Sequence, residues 1–314
     1  MVEVRSGELL FVKSVKDGIP NRDPLNDSDA RRLFGEEDGR ISLSDVSIKR
    51  DVRDYVLARY PDGGDGTRHI FVREARTPDG KVMGRRALAE SILGPGAAGQ
   101  ARETLPQKAF DVRVFGVVYS VRDVSFHLTG PVQFGWAHSL HPVESRYVQG
   151  TVVMAADDDR GREQGTIWTS YIVPFAVFAM HGIINATLAR ETGMTPEDVE
   201  LLLEALWRGT RHRQARGRGI QEPLFLLHVE YENPFFRIGD LDRLVRLLPG
   251  REVWEGPVKP SSVDEVALDV QALGQRLLEF RPQVARVRYW LNPAFRLEGD
   301  GGLRELAGGP QPLM

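Results

Sequence analysis

The chain has 314 residues, with a hydrophobic share of 41%, a charged share of 27% and a formal net charge of −3. Those proportions belong to a globular chain able to bury one large core or two modest ones. Cysteine is absent, which excludes disulfides and thiolate metal sites and makes a cytoplasmic location the expectation. The apolar stretch from Tyr171 to Ile184 is interrupted by Pro174 and His181 and is too short to span a membrane. The first residues also lack the basic-then-apolar order of a secretory signal.

In chain order, Glu8 to Val15 predicts a buried first strand, followed by a turn at Asp17-Gly18 and a polar loop from Asn21 to Arg32. A helix is then expected from Ser44 to about Tyr60, with Ser44 as N-cap, Asp45 suiting the helix dipole and Pro61 as the stop. At about 100° per residue, Ile48, Val52, Tyr55 and Val56 share one arc, and Lys49, Arg50 and Arg53 line the arc beside it. Two readings of those cations stand open. Their stems cover the edge of a core, or they form a ledge for phosphates.

Thr67 to Arg73 reads as a second strand, and a short helix is expected at Arg85 to Leu93. Phe110 to Val121 is the strongest strand pattern, apolar on both faces around Gly116, and is expected inside a sheet. An irregular region follows to about Gln164 and carries the acidic run Asp157 to Asp159. Thr166 to Phe178 reads as a buried strand. Thr195 then caps a helix with Pro196 at its first position, a buried stripe of Val199, Leu202, Leu203 and Leu206, and Gly209 after its end. Leu224 to Tyr231 is a further strand. A third helix is expected to open with a capping box at Ser262 to Glu265 and run to Phe280, before a last strand at Val284 to Leu291. The Gly- and Pro-rich tail, 298–314, is expected to be mobile. This order predicts an α+β class: a split βαβ, ferredoxin-like core spanning 1–297, with insertions at about 75–108 and 123–165.

Besides the basic ledge of the first helix, two segments carry candidate chemistry. Of the 41 basic residues only six are Lys, a bias that suits phosphate gripping and base stacking and is equally the mark of a GC-rich genome. Arg208, Arg211, Arg213, Arg216 and Arg218 fall within eleven residues containing no carboxylate, interleaved with Gly217 and Gly219; exposed Arg-Gly loops of this kind contact RNA. Phe126 to His141 places Phe126, Phe134 and Trp136 beside Gly130, Pro131 and Gly135. These aromatics either stack on unpaired bases or pack beneath their loop. His127, His138 and His141 lack a metal-ligand spacing, and Asp23, Asp27 and Asp29 do not fit a calcium loop. No metal and no cofactor is expected, and no P-loop, GxGxxG or GxSxG is present.

Several ordered motifs resemble the backbone subunit of type I CRISPR surveillance complexes, the seventh family of CRISPR-associated proteins, in its I-B and I-C branch with I-B wording. They are Asn21-Arg22-Asp23-Pro24-Leu25-Asn26, the helix Ser44 to Tyr55, Asp111 to Gly116, Thr129 to Phe134, Tyr171 to Phe175 with Gly182, and the helix Thr195 to Trp207 running into Arg208 to Gly219. The resemblance implies an RNA-recognition-motif-like (RRM-like) palm with inserted fingers and thumb. It also implies no catalysis, and several copies filamenting along a guide RNA (crRNA) that pairs with target DNA, beside other subunits of the complex (Cascade). By position, Lys49, Arg50 and Arg53 would hold guide phosphates. Gly130, Pro131, Gln133 and Phe134 would line the RNA path, and Arg208 to Arg218 would meet RNA or a neighbouring subunit. Arg22 departs from the family's commoner Asn-Gly-Asp wording. An alternative is a type III-like relative that cleaves target RNA with an Asp of the first loop.

Overall fold

The computed structural model describes residues 3–26, 29–121, 124–151 and 167–313. Strand β1 (Gly7–Gly18) leads to β2 (Ser42–Leu43) and α1 (Asp45–Arg59). Helices α2 (Arg85–Leu93), α3 (Ala101–Lys108) and α4 (Phe110–Phe115) precede the hairpin of β3 (Gly116–Val121) and β4 (Val124–Thr129). Short strands β5 (Val132–Phe134), β6 (Ala137–Ser139) and β7 (Arg146–Thr151) come next, then the long β8 (Ile167–Ile184). Helices α5 (Ala186–Thr192) and α6 (Pro196–His212) lead to β9 (Ile220–Tyr231). The C-terminal part holds β10 (Arg246–Leu248), α7 (Arg251–Trp254), β11 (Ala267–Asp269), α8 (Gln271–Glu279), β12 (Val284–Leu291), β13 (Arg296–Glu298) and α9 (Gly301–Ala307).

The fold is mixed α+β. Its main sheet runs β12-β9-β1-β8-β6-β2, with β5 and β7 also paired to β8. Along β9-β1-β8-β6 every neighbour is antiparallel. β1 is central because it is apolar on both faces. Leu9, Phe11 and Val15 pack toward Ile48, Val52 and Val56 of α1 and Leu202 and Leu206 of α6. Leu10 and Val12 pack toward the C-terminal layer, with Leu268, Leu273 and Leu303. A third cluster, with Leu88, Leu105, Tyr119 and Phe126, joins α2 and α3 to the β3–β4 hairpin.

Helix α6 carries the expected capping box and buried stripe, but continues through Gly209 to His212. A Cβ at position 209 would stand 2.5 Å from the Asp51 carbonyl oxygen. This glycine therefore lets α1 and α6 meet, and it does not stop the helix. The strongest strand pattern proves half helical. Phe110 to Phe115 form α4, whose six residues are all buried, and a fully buried helical turn has the same continuous apolar run as a buried strand. Gly116, at φ 79°, breaks that helix and starts β3. Thr67 to Arg73 is not a strand; one bridge, His69 to Ala109, ties it down. Ser262 to Glu265 closes only a single 3₁₀ turn, Val263–Glu265. The buried Ala267 and Leu268 are then drawn into a sheet of order β10-β11-β13, which delays the helix to Gln271.

The segment expected to be irregular between 122 and 164 holds β4 to β7, and β7 forms a two-stranded ribbon with the start of β8. Asp157 to Asp159, with the rest of 152–165 at the end of the second expected insertion, lie outside the described residues. The tail, expected to be mobile, carries α9, whose Leu303 is fully buried. There Gly302 meets Gly274 of α8, leaving no room for a Cβ.

Candidate nucleic-acid interface

One cleft of about 540 Å³ opens where the end of β1, the start of α1 and the end of α6 converge. Its lining holds seven arginines (Arg22, Arg50, Arg53, Arg73, Arg213, Arg216 and Arg218) against one carboxylate, Glu74. Those side chains come from four segments spread over nearly 200 residues of sequence.

The start of α1 forms one wall. Ser44 holds the N-cap position, but its hydroxyl donates to Asn21 Oδ1 at 3.4 Å and caps no backbone N–H. The first turn, with Val46 and Ser47, thus faces the cleft, and uncapped N–H groups at a helix start favour anions. Further along, Arg50 donates from Nε to Asp54 at 2.7 Å, and Arg53 from Nε to Asp111 at 2.9 Å. In both, the carboxylate takes the Nε edge, and the two terminal nitrogens make no hydrogen bond among the described residues. Those terminal groups match a phosphate in fork geometry.

Asp111 belongs to α4 and is fully buried. Besides Arg53 it accepts the N–H groups of Phe71 and Val72 at 2.8 and 2.9 Å, which brings Arg73 to the cleft. Arg113, two residues on, pairs with Asp198 of the α6 capping box at 2.6 Å. The motif Asp111 to Gly116 is therefore a clamp between the cleft wall and α6.

The segment after α6 forms the opposite wall. Arg213 and Arg218 reach the buried Asp51 of α1 at 3.0 and 2.6 Å, and Lys13 of β1 reaches its other oxygen at 3.0 Å. Lys13 is fully enclosed; burial is the main cause that lowers its pKa to about 8, against the opposing pull of Asp51. Arg216 is exposed and lies over the Trp168 ring, 5.2 Å from its centroid. Arg22 is exposed and bonds Ser170 Oγ at 3.3 Å. Among the described residues Arg22, Arg73 and Arg216 make no ion pair.

Six of the sequence candidates, Arg22, Arg50, Arg53, Arg213, Arg216 and Arg218, share this cleft. The others do not. Lys49 lies round the helix from it, paired with Asp45 at 2.9 Å and 3.4 Å from Gln133 Oε1. Arg208 and Arg211 are exposed on the last turn of α6 and pair with Glu204 and Glu222. The Arg run lacks carboxylates only in sequence, since the fold supplies them from α1, α6 and β9. Gly130, Pro131 and Phe134 are buried. Phe134 packs against Phe115, and Phe126 against Tyr119, so the aromatics of this loop are core and not an exposed stacking surface. Trp136 is half-buried with Arg31 beside its ring.

Sequence reasoning missed Asp51, Asp111, Lys13 and Arg73. Asp51 carried a faint signal as a charged residue next to the apolar arc of α1; the others resembled ordinary strand residues. In the first loop, Asp23 Oδ1 accepts the Leu25 N–H and Asp29 holds Ala30 N–H and Ser145, while Asp27 lies outside the described residues. His127, His138 and His141 are not brought together. Among the described residues the one group of three His and carboxylate side chains near enough to share a metal ion is His181, Asp240 and Asp242, away from the cleft. No described helix is long and apolar enough to cross a membrane.

The profile of the family described as CRISPR-associated protein Cas7 matches residues 5–271. A CRISPR-associated protein Cas7 from Haloferax volcanii is 28% identical over 302 residues, covering 88% of this chain and 84% of that protein. Two solved chains have a similar fold. One, from a "CRISPR RNA-guided surveillance complex, pre-nicking", gives a TM-score of 0.55 at 14% identity, covering 95% of this chain and 97% of the other. The second, from a "CRISPR RNA-guided surveillance complex", gives 0.52 at 14% identity, with coverages of 95% and 96%. The profile match spans most of the sequence and includes every segment that lines the cleft, so the chain belongs to the Cas7 family of CRISPR-associated proteins.

Proposed function

We propose that this chain is a non-catalytic backbone subunit of a type I CRISPR surveillance complex, of the I-B branch, that polymerises along crRNA and holds the guide's phosphates in the arginine cleft. One observation carries the reading: arginines dispersed along the sequence converge in one cleft, two of them, Arg50 and Arg53, oriented by carboxylates that leave their terminal N–H groups unbonded among the described residues. A protein that packages guides of many sequences must recognise backbone and not base edges, and arginine forks with an uncapped helix start do that. The exposed Val46 and Val72 at the cleft add apolar surface for sugars. The strand order β9-β1-β8-β6, with α1 and α6 on one face, supports an RRM-like palm within one domain, which also takes in α9 through Leu303. The ribbon of β7 and β8 supports a thumb-like insertion. Arg208 and Arg211, outside the cleft, suit contacts with a neighbouring copy.

The test is salt-dependent RNA binding. Single-stranded RNA affinity should fall with salt at a log–log slope of about 0.7 per neutralised phosphate, and crRNA of defined length should co-purify with oligomers that nuclease disperses. A flat salt response, or oligomers that survive nuclease with no RNA, would overturn the proposal. Cleavage of complementary RNA with a divalent metal, lost on Asp23→Ala, would favour the type III-like alternative instead. Asp23 Oδ1 holds its own loop through the Leu25 N–H, and Asp29 is tied to Ala30 N–H and Ser145, which speaks against that alternative.

A further inference from the structure

The cleft's strongest internal constraint is a single side chain that points away from solvent. Asp51 is 0% exposed on α1. Its Oδ1 accepts Arg213 Nη1 at 3.0 Å and Arg218 Nη2 at 2.6 Å, and its Oδ2 accepts Lys13 Nζ at 3.0 Å. We propose that Asp51 is a positioning residue for phosphate recognition, fixing the guanidinium groups of Arg213 and Arg218 at the cleft wall before RNA arrives. This rests on the RNA-binding reading of the cleft.

Regular structure stops at His212 and resumes at Ile220, so neither helix nor strand orients the side chains between. Gly217 and Gly219 take φ of 74° and 73°. A Cβ at 217 would stand 2.1 Å from Arg22 Nη2, and one at 219 would stand 2.4 Å from the Lys16 carbonyl oxygen. The turn is thus threaded between the first loop and the end of β1, and its arginines need an anchor from another element. Asp51 supplies it, helped by the Ser47 carbonyl for Arg213 and Gln221 for Arg218.

Charge and hydrogen bonding both leave a remainder. Three cations meet one carboxylate, with Asp54 a further 3.6 Å from Arg213 Nε. Arg218 is 5% exposed, lines the cleft, and its buried Nε has no partner among the described residues. Buried polar groups are normally satisfied, so a wall of fixed, under-neutralised arginine is suited to an anion.

The rival role for Asp51 is simple charge balance within the fold, and the two roles differ in sign. Asp51→Asn removes a negative charge beneath the cleft at nearly constant shape. Under charge balance alone, the variant binds labelled single-stranded RNA of mixed sequence more tightly, with a salt slope steeper by about 0.7. Under positioning, affinity falls by about tenfold or more and the slope becomes shallower by about 1.4, the value for two lost phosphate contacts. If Asp51→Asn does not fold by circular dichroism, the combined Lys13→Met and Asp51→Leu variant removes a buried pair without changing net charge. It should show the same loss, whereas charge balance predicts no change. A wild-type protein with no salt-dependent RNA binding would overturn the cleft reading itself. Salt-dependent wild-type binding, with a folded variant binding equally or more tightly, would overturn only the role of Asp51.

Discussion

Two fully buried carboxylates, Glu8 and Asp51, lie on opposite faces of the same sheet and meet the same physical problem in different ways. Glu8 is enclosed by the C-terminal side, where it accepts His181, the Tyr231 hydroxyl and the N–H groups of Ile238 and Gly239. Burial pushes its pKa up, but the hydrogen bonds from His181, Tyr231 and Ile238 outweigh burial and hold it below the usual glutamate value. The donors are matched to the acceptor and nothing is left over. Asp51 is met by three cations instead, and the surplus charge faces a cleft. A buried charge with a closed shell is architecture, whereas one with an over-supplied shell stores binding capacity for a ligand. Under the proposed function, the difference separates a structural face of the sheet from the face that binds RNA.

Four experiments would break or sharpen this contrast. The largest effect is expected for Asp51→Asn, which leaves Lys13, Arg213 and Arg218 uncompensated. Stability in chemical denaturation should drop by about 3–5 kcal/mol, together with the loss of RNA affinity; loss of neither would remove Asp51 from both roles. Acid should next test the closed side. His141, on that side, is held neutral by burial down to about pH 4, although its bond to the Pro142 carbonyl opposes this, and His228, on the α1–α6 face beside Arg288, is held neutral to about 3. The unfolded chain takes these protons near pH 6.5, so stability should fall as pH drops from 6.5 toward 4, by on the order of 3 kcal/mol for His141. A flat stability profile across that window would show that these imidazoles are not sealed.

Glu8→Gln should cost about 1–3 kcal/mol of stability, because donors shaped for a carboxylate meet an amide, while RNA affinity stays unchanged. An equal loss of RNA affinity in Glu8→Gln and Asp51→Asn would erase the contrast between the faces. The smallest effect is expected for Arg216→Ala at the exposed rim. Melting temperature should hardly move, since surface changes usually stay within about 0.5 kcal/mol. RNA affinity should fall roughly fivefold, as for one lost charge-assisted contact of about 1 kcal/mol. A large stability loss would make the Arg216–Trp168 contact structural.

Much of the architecture was legible because it depends on local pattern. The stripe Ile48, Val52 and Val56, the capping box at Thr195 and the strands at Leu224 and Val284 obey periodicities that the chain carries within itself. The clustering of arginines at 208–218 was visible too, and so was the ledge beside α1. What sequence could not decide was partnership. Phe110 to Phe115 has the composition of a buried strand, and only its enclosure on all sides, with Asp111 and Arg113 clamped to Phe71, Val72 and Asp198, makes it a helix. Lys49 and Arg50 are neighbours in sequence, yet α1 turns Arg50 to the cleft and Lys49 to Gln133.

The sequence by itself determined α1, α2 and α6, the strands β1, β9 and β12, the α+β class and the two basic segments, because each follows from spacing along one stretch of chain. Tertiary structure alone decided which arginines meet and which acids orient them. Distances between residues more than 150 positions apart, as from Asp51 to Arg218, are set by how β1, α1 and α6 pack, and packing leaves no local periodicity to read.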